Sequence, residues 1–377
     1  MADAPERNAI ALFAYDFPHR KSSDFLLELV AAGLRDITVL AAPKKILQHS
    51  DEGSYFSRSL VHPSAPDMRE LCARLGVAFH SVEHGDSVRI DEIVRDSGCK
   101  LGIIGGARII PSKVIRLFEH GVINFHPGKI PETSGLDAFF YSIRKDVPVG
   151  VTTHFIDGRV DAGHQIWFDE TMIGPEDSIE VVIENGYALQ RLALRRLLRI
   201  IAEDGLIPRL PVDRPQKNEP MTARQKWDAV SMFPAWRARH FCRQAVSSLF
   251  EACASGLPEQ AGKIIDSNPS FIEARNGNYW TPLIVASYNQ HLQVVEKLLS
   301  RGANASAVGR KGTTVLMYAK TKLLNRAGAD YRLLDLLIAA GADVAARDVF
   351  GKSVMDYVSA AGDEHMARYF LKMQGMA

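Results

Sequence analysis

Val122-Ile123-Asn124-Phe125-His126-Pro127-Gly128 decides how this chain is read. An apolar start and a proline stop describe a buried strand, since Pro127 has no N–H to give a sheet ladder. Asn124 and His126 stand two residues apart, so a strand presents both on one face. Upstream, short apolar runs alternate with helical patterns. Ala9–Ala14, Ile37–Ala42 and Leu101–Gly106 read as buried strands, and Gly76–Phe79 as extended. Between them lie a helix with Phe25, Leu26, Leu29 and Val30 on one side, Ser22 and Ser23 as N-cap candidates and Gly33 as its stop, and further helices over Met68–Leu75, Ile90–Asp96 and Ser112–His120. This alternation predicts βαβ units and an α/β, Rossmann-like domain with a mainly parallel sheet. Sites in such sheets lie beyond the carboxyl ends of strands, where His126 falls.

A second segment, His154-Phe155-Ile156-Asp157-Gly158-Arg159-Val160-Asp161-Ala162-Gly163, ends in an acid flanked by small residues. Asn124, His126 and Asp161 together supply an oxyanion donor, a general acid or base, and a carboxylate to orient it, which suits acyl transfer. Singly, His126 would pass for a structural histidine and Asp161 for a turn acid. The combination carries the reading.

With these motifs in place, residues 8–205 resemble the folate-dependent formyltransferases, which move a formyl group from 10-formyltetrahydrofolate to an amine. The N-x-H-P-[GS] strand end matches, as does the G-V-T-x-H-F run at Gly150–Phe155, with Asp161 seven residues after His154. Gly106-Ala107-Arg108-Ile109-Ile110 stands at the family's folate loop. The resemblance implies catalytic roles for Asn124, His126 and Asp161, cofactor contacts at Arg108, Ile109, Ile110 and Asp157, 10-formyltetrahydrofolate as co-substrate, and no metal. His154 divides between structural support and chemistry. Ser134-Gly135 departs from the Arg-Gly of many members, which points to a different acceptor.

At 377 residues the chain is long enough for two domains, and 46% apolar with 24% charged residues describes a protein able to bury sizeable cores. A net charge of +1 gives no electrostatic case for nonspecific nucleic-acid binding. No apolar run reaches the roughly 18 residues of a membrane helix, and the N-terminus lacks a basic-then-apolar leader pattern, so a cytoplasmic location is expected. Cys72, Cys99, Cys242 and Cys253 form no C-x-x-C and sit near no histidine at zinc spacing. Gly351-Lys352-Ser353 lacks the upstream glycine of a P-loop, and Gly102–Gly106 lacks G-x-G-x-x-G order. His19-Arg20-Lys21 follows the first strand and precedes a helix, a position suited to substrate phosphates or to a solvated charged loop.

Residues 1–204 are thus expected to form the catalytic domain. The stretch 205–244, with Pro208, Pro211, Pro215 and Pro220 in its first part, is expected as a connector or arm. From 245 the texture becomes repetitive. Thr281-Pro282-Leu283-Ile284-Val285-Ala286 resembles the ankyrin T-P-L-H-x-A signature, and helices ending at Gly302 and Gly341 follow the repeat pattern. The Gly302–Gly341 spacing exceeds the ankyrin period by about six residues, which places an insertion near Thr321–Asp330. Ankyrin repeats over 245–377 are expected as a binding module, for a second ligand or a protein, with Tyr279 and Trp280 as candidate contacts or repeat-core caps. Methionyl-tRNA formyltransferases add a β-barrel and basic surface instead. The resemblance therefore favours an acceptor among nucleotide-linked (dTDP- or UDP-) amino-dideoxysugars of surface-polysaccharide synthesis. A formyl-folate hydrolase, another amine formyltransferase and a noncatalytic ankyrin protein remain alternatives. The particular sugar and homodimer formation stay open.

Overall fold

The computed structural model describes residues 9–44, 65–158, 163–203, 205–212 and 217–375. The chain divides into two compact units, Met1–His240 and Phe241–Ala377.

The first unit is built on one sheet. Its strands are β1 (Ile10–Tyr15), β2 (Ile37–Ala42), β3 (Ala78–Ser81), β4 (Leu101–Ile104), β5 (Gly121–His126), β6 (Gly150–Phe155), β7 (His164–Glu170) and β8 (Leu210–Pro211). They lie in the order β3-β2-β1-β4-β5-β6-β7-β8. Pairings among β1–β5 are parallel. From β5 outward to β8 they are antiparallel. The sheet is thus mainly parallel, with an antiparallel edge beginning at the strand that carries Asn124 and His126.

Helices cover both faces, which is why β1 and β2 read as continuous apolar runs. Helix α1 (Arg20–Ala31) packs Phe25, Leu26 and Leu29 with Leu12, Ile123 and Phe125 on one face. α2 (Met68–Leu75) and α6 (Ile179–Ala202) join the same layer. α3 (Ser87–Ser97) and the short α4 (Ser112–Ile115) cover the other, with Phe13 and Val122. α1 starts earlier than Ser22 and Ser23 suggest. His19 is its N-cap, and the His19 ring accepts from the Ser22 backbone N–H. α4 also stops short of the expected His120.

Residues 205–244 combine three kinds of structure. Leu210–Pro211 extends the sheet against β7, and Asn218 bridges to Gly135. Helix α7 then runs Ala223–Ser255, with Pro234 inside it. Ala229, Phe233 and Trp236 are buried with Phe140 and Ile143 of α5 (Ala138–Lys145). Their spacing of four and three residues is the apolar stripe of a helix.

The second unit stacks short helices: α8 (Pro258–Ser267), α9 (Pro282–Tyr288), α10 (Leu292–Leu299), α11 (Val315–Ala319), α12 (Arg332–Ala339), α13 (Val354–Ala360) and α14 (Glu364–Gln374). One apolar core runs through it. Thr281, Thr314 and Ser353 recur as N-caps of α9, α11 and α13, each hydroxyl accepting from the N–H three residues on. The expected insertion is a 3₁₀ turn, Lys320–Lys322, followed by a loop that reaches Tyr331. It docks on the following repeat, where the Asn325 N–H donates to Asp363 Oδ2 at 2.7 Å and Asn325 Nδ2 to Ala361 O at 3.1 Å.

Candidate active site

β5 ends at the carboxyl edge of the sheet, and its register with β6 pairs Asn124 with His154 and His126 with Thr152. These four residues therefore share one face. Ile123 and Phe125, on the opposite face, are locked in the core. His154 is fully buried, and Asn124 Nδ2 donates to its Nε2 at 3.3 Å. An amide nitrogen can only donate, so this ring nitrogen carries no proton. Asn124 keeps a second N–H for another acceptor.

His126 is buried, and its Nε2 lies 3.0 Å from Thr133 O. A carbonyl can only accept, so Nε2 carries the hydrogen. Protonation then adds a proton at Nδ1. The turn after the strand folds tightly around this ring. Gly128 N donates to His126 O at 2.8 Å, Thr152 Oγ1 donates to Gly128 O at 2.6 Å, and Ile130 N donates to Thr152 Oγ1 at 3.2 Å. The Ile130–Pro131 peptide is cis. Gly128 has to be glycine in this setting. A Cβ there would stand 2.2 Å from Thr133 Oγ1 and 2.9 Å from His126 Nε2.

Asp161 lies outside the described residues. Gly163, the next described residue, has a φ of +104° and lies so close to Phe155 O that a side chain is excluded. Asp157, two residues after the end of β6, is partly buried.

Arg108, Ile109 and Ile110 follow β4 at the same sheet edge. Arg108 is held by Glu83 at 3.1 Å and by Pro43 O at 2.8 Å. Ile110 is buried, whereas Ile109 is 74% exposed, an apolar side chain left in solvent beside the strand ends. His19, Arg20 and Lys21 are separated by the first turn of α1. His19 turns inward against Tyr15 and Ser22, and burial, with Lys21 adding, lowers its pKa to about 4. Arg20 pairs with Glu184 and lies over the Tyr187 ring. Lys21 is buried and donates from Nζ to Phe125 O at 3.2 Å, the carbonyl between Asn124 and His126. The structure thus gives all three residues protein partners, and brings Lys21 to the strand that carries the candidate site.

In the second unit, Trp280 is half-buried. Its Nε1 donates to Tyr318 Oη at 3.0 Å, and its ring packs on Tyr288 and Tyr318. Tyr279 is 49% exposed, at φ +65°, under the Arg275 guanidinium. Among the described residues no group of three or more His, Cys, Asp or Glu is placed to hold a metal. Among them, too, no helix is long and apolar enough to cross a membrane.

Sequence reasoning missed Thr133, Lys145 and Asn218. Thr133 O meets His126, and Asn218 and Lys145 bind the neighbouring carbonyls, groups that leave no mark in a sequence.

Residues 100–196 match the formyl transferase family model, and residues 249–348 match a model of three ankyrin repeats. A methionyl-tRNA formyltransferase of Solibacter usitatus is 29% identical over 143 residues, covering 37% of this chain and 45% of that protein. A phosphoribosylglycinamide formyltransferase of Haemophilus influenzae is 33% identical over 81 residues, 21% of this chain and 38% of that protein. The chain thus spans less than half the length of these two relatives. A phosphoribosylglycinamide formyltransferase structure from Anaplasma phagocytophilum aligns at TM-score 0.40 and 19% identity, over 52% of this chain and 88% of that one.

Proposed function

We propose that the first unit is a folate-dependent formyltransferase and that its acceptor is the amine of a nucleotide-linked amino sugar, of the kind used for surface polysaccharides. The observation that carries the reaction class is Asn124 and His126 side by side at the end of β5, inside the segment that matches the formyl transferase model. Both relatives named above are formyltransferases, with different acceptors.

The co-substrate, 10-formyltetrahydrofolate, supplies an electrophilic formyl carbon. The exposed Ile109 and the polypeptide of Gly106–Ile110 at the sheet edge fit an apolar ring system, and Arg108 and Asp157 are taken as its further contacts. When a neutral amine attacks the formyl carbon, charge develops on the formyl oxygen. Asn124 offers that oxygen its second N–H, and protonated His126 offers a proton at Nδ1. Asp161 holds His126 in the state required and takes up the proton that the amine releases; collapse of the adduct breaks the bond between the formyl carbon and N10, and that proton passes to N10 of the departing tetrahydrofolate.

The choice of acceptor rests on the rest of the chain. A net charge of +1 does not favour a polyanionic tRNA, and ankyrin repeats occupy the region after the catalytic unit. The repeats then serve as a separate binding module for a second ligand or a protein. The test is to incubate the full chain with 10-formyltetrahydrofolate and a panel of dTDP- and UDP-amino sugars, glycinamide ribonucleotide, methionyl-tRNA and buffer alone. N-formyl sugar nucleotide is the expected product. Turnover of the tRNA or the ribonucleotide instead would overturn the acceptor, and formate release without an acceptor would make the protein a hydrolase.

A further inference from the structure

The loop that holds His126 is itself held by the segment following the catalytic core. Thr133 supplies the carbonyl for His126 Nε2 at 3.0 Å. The carbonyls on either side of Thr133 both point to one side chain: Asn218 Nδ2 donates to Ser134 O at 2.8 Å and to Glu132 O at 3.1 Å. The Asn218 backbone N–H donates to Ser134 O as well, at 3.0 Å. Lys145 closes the arrangement, donating from Nζ to Asn218 Oδ1 at 2.6 Å and to Glu132 O at 2.7 Å. Asn218 is buried, as are Thr133 and Ser134. Gly135 makes the approach possible, because a Cβ there would lie 2.8 Å from Asn218 O.

A surface tether would show none of this. A buried amide whose oxygen and nitrogen both find partners, and whose nitrogen spans two carbonyls, fixes a backbone conformation. The conformation fixed here aims the Thr133 carbonyl at His126. Lys145 and Asn218 bond to the carbonyls on either side of it, Glu132 O and Ser134 O, while Thr133 O meets the imidazole. We propose that Asn218 is a positioning residue for the reaction, setting the tautomer and orientation of His126 through the Glu132–Ser134 backbone. The segment between the catalytic core and the repeats is then part of the active site's framework. This inference rests on the formyltransferase reading for its kinetic consequence, but not for its structural one.

The test uses the full chain and two substitutions, Asn218→Ala and Asn218→Asp. The aspartate keeps the size and the acceptor for Lys145 but loses the Nδ2–H donors. Long-range ¹H–¹⁵N spectra, with the His126 signal assigned by His126→Gln, read the ring tautomer independently of turnover. The parent is expected to show His126 as the Nε2–H form, and both variants to lose that preference. For the kinetics, kcat should fall by about 10–100-fold while KM for both substrates stays within about twofold. If Asn218→Ala does not fold, Asn218→Asp decides by the same two readouts. Folded variants with the parental tautomer and parental kcat would overturn the proposal, as would an equal loss in KM with kcat unchanged. A parent that transfers no formyl group overturns the reaction class instead, and the tautomer measurement still decides the role of Asn218.

Discussion

Asn124 and His154 are register partners across the β5–β6 ladder, and the amide nitrogen of one meets the ring nitrogen of the other at 3.3 Å. The buried imidazole engages one amide hydrogen, so the direction of the second is set before any substrate arrives. In the proposed reaction this would preorganise Asn124 as an oxyanion donor. His154→Leu should therefore lower kcat by about 10–100-fold with little change in KM, and His154→Gln, which restores an acceptor, should recover part of it. Steady-state kinetics on the folded variants check this. Parental kcat in His154→Leu at saturation would show that Asn124 does not depend on its partner.

His126→Ala and Asp161→Asn should each reduce kcat by about 10²–10⁴-fold, the range expected when an acid–base group is removed. In the proposed reaction both act on charge that develops in the transition state, so His126→Asn should still bind the acceptor. Turnover should also fall on the acid side, because a protonated amine cannot attack. Near-parental kcat in either variant would remove that residue from the chemistry.

Stability should respond to pH through His19. Its pKa drops from the ordinary 6.5 to about 4 in the folded chain, first by burial and then by Lys21. Above 6.5 the ring is neutral folded or unfolded and contributes nothing to the pH dependence. As pH falls from 6.5 toward 4, the unfolded chain takes up a proton that the folded chain refuses, and stability is lost, by an upper bound of about 3 kcal/mol. His19→Asn keeps a good N-cap and removes the titration. Of the four tryptophans only Trp280 lies in the second unit, so Trp280→Phe leaves a fluorescence signal from Trp167, Trp227 and Trp236 in the first. Urea midpoints on that background should decline less steeply with acid in His19→Asn. Identical slopes would discard the account.

Asn124, His126 and the turn at Pro127 were legible because strand periodicity and a missing N–H are local rules. The parallel sheet was legible for the same reason, through alternation of short apolar runs with helical ones. The insertion near Lys320–Tyr331 could be counted from the repeat period. What lay hidden was reached through tertiary contacts. Ser22 and Ser23 look like caps, yet the ring of His19 can accept a backbone N–H too. The prolines before residue 221 masked the helical stripe Ala229–Phe233–Trp236 that follows them. Asn218 meets Ser134 across 84 residues of sequence, through a carbonyl that every residue has.

Gly128→Ala should damage the site from within. The added methyl would press on Thr133 Oγ1, on Ala138 Cβ at 2.9 Å and on the His126 ring. Thr133 can rotate, but the ring and the start of α5 cannot both yield. Overpacking of this kind costs about 1–3 kcal/mol, and displacement of His126 should cost kcat more than KM. Thermal denaturation together with kinetics checks it. A variant with parental stability and turnover would mean that the turn relaxes freely.

Tyr279 and Trp280 are neighbours in sequence with separable duties. Trp280 packs its ring against Tyr288 and Tyr318 and satisfies its N–H on Tyr318, so its removal should weaken the repeat stack, by about 2 kcal/mol for a half-buried aromatic. Tyr279 projects from the turn, half-exposed, in a left-handed conformation that disfavours a bulky residue. A side chain kept there against its backbone preference is the better candidate for contact with a second ligand or a protein. Tyr279→Ala should then leave stability and kcat nearly unchanged while weakening binding at a site other than the catalytic one. Trp280→Ala should lower the stability of the second unit as well. Calorimetric titration of the full chain with sugar nucleotide distinguishes the two. One binding site per chain, with Tyr279→Ala behaving as the parent and no protein retained by the repeats, would leave both aromatics with a packing role alone.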